Sequence, residues 1–126
     1  MFTVDIEAPK EVKWPAKINV AENGGKIGIY DISLIFKALD EDQIEALNQA
    51  AEGMDASTAM GEIEKTAFIM EGWMSGWDKL QTSDNKKFEF TPDNLRALLK
   101  SSKGMPFRVA FYKAVGEVRS GAKAKN

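Results

Sequence analysis

Along the first third of the chain, apolar and polar positions alternate. From Trp14 to Val20, Ala16, Ile18 and Val20 fall on one side while Lys17 and Asn19 fall on the other, which predicts a strand. Asn23-Gly24-Gly25 supplies residues that tolerate a left-handed backbone, so the following run is expected to pair back as a hairpin. In that return strand Ile27, Ile29 and Asp31 share one face, and Tyr30, Ile32, Leu34 and Phe36 share the other. Phe2, Val4 and Ile6 also keep period two ahead of the Pro9-Lys10-Glu11 break, a pattern that fits either a short strand or a loosely held terminus.

Beyond Phe36 the period becomes helical. Asp40 and Gln43 stand at capping-box spacing before a short helix whose apolar side carries Ile44 and Leu47, and Gly53 interrupts it. Met60, Ile63, Ala67, Met70, Met74 and Trp77 then recur at intervals of three and four. This predicts a central helix from about Ser57 to Leu80, opened by Asp55 or Ser57. Phe68, Ile69 and Trp73 widen its stripe beyond what one neighbouring element would cover. Gly61, Gly72 and Gly76 each cost about 1 kcal/mol relative to alanine in a helix interior. Something should offset that cost. Either the helix bends, or another element approaches closely at Gly72 and Gly76, or the segment offers a flat apolar patch of Met70, Trp73 and Met74 to a partner.

Thr91-Pro92-Asp93-Asn94 has the residue types of a helix start, and Phe90 and Leu95 stand where a hydrophobic staple would place them. A break at Ser101-Ser102-Lys103-Gly104 precedes a last helix from Met105-Pro106, with Phe107, Ala110, Phe111, Ala114 and Val118 turned inward. The expected fold is one α+β domain over residues 1–120. It places a small N-terminal antiparallel β-hairpin or meander ahead of a bundle of about four helices, with 121–126 as a mobile tail.

Composition narrows the chemistry. Among 126 residues, 44% are hydrophobic and 29% charged, which is globular rather than disordered composition. The formal net charge of −2 gives the chain no electrostatic footprint for nucleic acid, although Arg108, Lys113, Arg119, Lys123 and Lys125 make its end basic and residues 31–64 are acid-rich. Neither cysteine nor histidine is present, so thiol nucleophiles, disulfides and imidazole acid/base chemistry are excluded. The remaining Ser, Thr, Asp, Glu and Lys side chains form no catalytic signature, and no enzyme, cofactor or metal is expected. Asp40, Glu41, Asp42 and Glu45 lack the spacing of an EF-hand loop, and Gly24-Gly25 lacks the surroundings of a phosphate-binding loop. Without a basic, apolar leader or a membrane-length run, a soluble cytoplasmic protein is expected, with no membrane partner.

Several short motifs then stand in a particular order. Val12-Lys13-Trp14-Pro15 opens the first strand, Gly24-Gly25 turns the hairpin, and Phe36-Lys37 closes the second strand. Trp77-Asp78 is followed by a polar loop, then by Phe88-Glu89-Phe90-Thr91-Pro92-Asp93-Asn94-Leu95, with Leu98, Leu99 and a final Lys125-Asn126. This order resembles the phage tail assembly chaperone family, with Val12 where a residue closer to an aromatic would be expected. The resemblance implies binding of a tape measure protein in the host cytoplasm before the tail tube polymerises. Shielding an apolar helical stripe by helix-in-groove contacts would suit that task. Met70, Trp73 and Met74 are the candidate contact residues, and self-association stays open. The alternative class is a small structural tail component retained in the virion. A DNA-binding regulator using the basic last helix is a third reading, and it predicts steeply salt-dependent DNA affinity.

Overall fold

In the computed structural model, which describes residues 1, 2, 4 and 10–121, the alternating run becomes a long hairpin. Strands β1 (Glu11–Glu22) and β2 (Lys26–Lys37) pair antiparallel from Glu11 opposite Lys37 to Glu22 opposite Lys26. Gly24 and Gly25 turn the chain at φ 78° and 77°, a region that L side chains avoid. Helices α1 (Glu41–Glu52), α2 (Ala59–Trp73), α3 (Pro92–Lys100) and α4 (Gly104–Ser120) follow, and a third strand, β3 (Met74–Asp78), lies between α2 and α3. The sheet order is β1-β2-β3, all antiparallel. The fold is α+β, with the sheet's core face carrying Ile32, Leu34 and Phe36.

The capping residues act as their types predict. Asp40 accepts from the Gln43 amide while the Gln43 side chain accepts from the Asp40 amide, and Thr91 accepts from the Asn94 amide with Pro92 at the first helical position. At α2 the cap is Thr58, which accepts from the Gly61 amide, rather than Asp55 or Ser57. Asp55 instead accepts from the Ser57 amide and closes the turn just before it.

The central helix is shorter than its periodicity predicts. It ends at Trp73, and Met74–Asp78 adds to β2 as a strand. The physical reason is a β-bulge. Ile35 faces Gly76 but Phe36 faces Met74, so Ser75 is an extra residue on β3. In a regular strand, residues three apart point to opposite faces; across this bulge Met74 and Trp77 both face the core. A helix-like spacing of three is thereby produced by a strand.

The core joins the sheet to all four helices. Leu34, Phe36, Ala67, Met70, Leu95, Phe107 and Phe111 have no exposed surface, and Ile44 brings in α1. Gly72 explains its own place: a Cβ there would sit 2.5 Å from Leu47 Cδ1, so glycine lets α1 close on α2. Helix α4 lies along β1, where Trp14 Nε1 donates to Glu117 Oε1 at 2.9 Å and so satisfies a buried carboxylate. Phe2 and Val4 are exposed and outside any strand, while Ile6 and residues 122–126, which include most of the expected tail, fall outside the described residues.

Candidate interaction surfaces

The motif residues from Trp77 to Leu95 form one packed unit. The polar loop folds back on itself, with the Thr82 amide donating to the Lys86 carbonyl at 2.8 Å and the Phe88 amide to the Leu80 carbonyl at 2.9 Å. This returns Phe88 and Phe90 to Trp77. The Trp77 ring stacks on Phe88 at 5.7 Å and meets Phe90 and Phe107 edge-on at 4.9 and 5.6 Å, while its Nε1 donates to the Phe88 carbonyl at 2.6 Å. Asn94 Nδ2 donates to the Glu89 carbonyl at 2.8 Å and locks the approach to α3. These residues tie β3 to α3 and α4, which is a structural role.

Asp78 closes the strand from outside. Its carboxylate receives Lys13 Nζ at 2.9 Å and the Lys79 amide at 2.9 Å, and Lys79 then turns the chain at φ 70°. The Lys13 hydrogen bond, then the Lys79 amide and the charges of Lys13 and Lys87, hold the Asp78 carboxyl below the usual carboxylate range.

Met70, Trp73 and Met74 do not form the expected exposed patch. Their relative exposures are 0%, 6% and 1%, and all three belong to the main core. The correction has the same origin as the shortened helix. The wide apolar stripe is covered on several sides because the chain leaves the helix at Trp73 and inserts Met74 into the sheet. Of these accounts of Gly72, close approach of another element is the one the structure supports.

Exposed apolar surface lies elsewhere. On α4, Met105, Val109 and Tyr112 are 63%, 62% and 50% exposed, and their spacing of four and three puts them on one face. Gly116 continues that face, with nothing among the described residues within 4 Å of where its Cβ would be. Exposed Lys113 flanks the stripe on one side. On the other, Arg108 Nη1 donates to Glu62 Oε1 at 3.1 Å, and Arg119 lies 3.6 Å from Glu41. Further exposed apolar side chains lie on the far half of the hairpin, Ile27 and Ile29 on one face and Tyr30 on the other, where β3 has already ended opposite Ser33. Tyr30 donates to Glu22 Oε2 at 2.7 Å across this half. The sequence signal for this row is a second set of apolar residues, four and three apart, on the side of α4 opposite its inward residues.

Among the described residues there is no group of three or more Asp, Glu, His or Cys arranged to hold a metal, and no helix long and apolar enough to cross a membrane. Comparison with protein-family models, with curated proteins and with solved structures finds no match.

Proposed function

We propose that this protein is a phage tail assembly chaperone that binds an apolar, helix-forming segment of a tape measure protein in the host cytoplasm and keeps it soluble until the tail tube assembles. The observation that carries this reading is the outward row of Met105, Val109 and Tyr112 on a helix whose other side is already buried in the core. Large apolar side chains at helical spacing on a surface give up water most readily to another amphipathic helix. The order of motifs from Trp14-Pro15 to Thr91-Pro92-Asp93-Asn94-Leu95 supports the family assignment, and the absence of histidine and cysteine supports a binding role over catalysis. The reading needs no cofactor. Co-expression with a tape measure protein from the same source, followed by a pull-down at moderate salt, should recover the two together. Failure to retain that protein, combined with stoichiometric presence of this chain in purified particles, would replace the chaperone by a structural tail component.

A further inference from the structure

We infer that the outer face of α4 receives an amphipathic α-helix whose apolar stripe is flanked by acidic residues; only the source of that helix, a tape measure protein, rests on the function proposed above. The first observation is charge. Each helical residue advances about 100° around the axis, so Lys113 falls on one flank of the Met105, Val109, Tyr112 and Gly116 row, and Arg108 and Arg119 fall on the other. The helix's single acid, Glu117, is buried and bonded to Trp14, and Arg108 is largely covered at 15% side-chain exposure, so the exposed charges of α4 beside its apolar row are Lys113 and Arg119. Glu62 and Glu41, themselves 58% and 85% exposed, compensate the two arginines, whereas Lys113 makes no ion pair among the described residues, so the uncompensated charge beside the row is positive.

The second observation is Gly116. A glycine inside a helix costs about 1 kcal/mol relative to alanine, and here no neighbour among the described residues needs the space. A partner backbone laid against this spot would use it, because a missing side chain lets two helix axes approach closely. From Met105 to Gly116 the row runs about 16 Å, or three turns of a bound helix. A second α4 suits this surface less well, since it brings another unpaired Lys113 and no unpaired carboxylate to meet the first.

Two designed peptides of about 18 residues, long enough for measurable helicity, would test this. They share one leucine and alanine stripe, flanked by glutamate in one and lysine in the other. Fluorescence anisotropy with the full chain should show the glutamate peptide binding about tenfold more tightly at low salt, with the gap narrowing as salt rises. Lys113→Glu should reduce that preference. Gly116→Phe should weaken the glutamate peptide about tenfold while circular dichroism and melting stay near wild type. Equal binding of the two peptides, or an unchanged affinity in Gly116→Phe, would overturn the inference. If neither peptide binds while the tape measure protein is still pulled down, the surface is wrong and the chaperone survives. If the glutamate peptide binds and the tape measure protein is not retained, the surface stands and the chaperone reading fails.

Discussion

Trp77 ties several elements at once, because its ring meets three aromatic rings and its one polar atom is satisfied. Trp77→Ala would leave a cavity between sheet and helices and free the Phe88 carbonyl, and the expected loss is about 3–5 kcal/mol. Thr91→Ala removes one cap hydrogen bond at an exposed position, with an expected loss nearer 1 kcal/mol. Denaturant titration of the two variants should reproduce that order. Gly116 gives the opposite sign. With no described residue near its Cβ position and a helical backbone, Gly116→Ala should raise stability by about 0.5–1 kcal/mol in the isolated protein, read as a higher melting temperature.

Between elements, what could be read in the sequence follows from how local each signal is. Caps and turns were legible because Asp40, Gln43, Thr91, Pro92, Gly24 and Gly25 act on their immediate neighbours. The end of α2 was not, because the bulge at Ser75 is defined by pairing with Phe36, far away in sequence. Pairs that bridge elements were equally hidden. Arg96 on α3 grips both Glu64 and Glu71 of α2, and these contacts raise the Arg96 pKa. Lys13 of β1 reaches over β2 to Asp78 of β3. The Asp78 carboxyl titrates below its ordinary 3.8 in the folded protein, so this tie stabilises the fold above that value. It is lost as pH falls through the depressed folded value. Asp78→Asn should therefore be less stable than wild type at neutral pH, and the difference should shrink as pH is lowered past 3.8. Thermal melts across that acid range check the sign.

At the scale of the whole molecule, the acid-rich first half and the basic last helix turn out to be two sides of one joint. Glu62 meets Arg108 and Glu41 meets Arg119, so α4 is seated electrostatically while its apolar residues divide between the core and the outside. That division decides where a partner can bind, and it separates two sets of residues that periodicity alone treated alike. Trp73 and Met74 are buried, and removing either costs several kcal/mol, a large share of the roughly 5–15 kcal/mol that holds a domain together. Val109 and Tyr112 are more than half or half exposed, and surface changes of this kind usually stay within about 0.5 kcal/mol. The paired variant Trp73→Ala/Met74→Ala should accordingly lose its cooperative melt. Val109→Ser/Tyr112→Ser should keep the wild-type circular dichroism spectrum and melting temperature, yet fail to retain the tape measure protein in the pull-down. The reverse pattern, a folded Trp73/Met74 variant that alone loses the partner, would move the contact surface back to the α2–β3 junction and require that junction to open on binding.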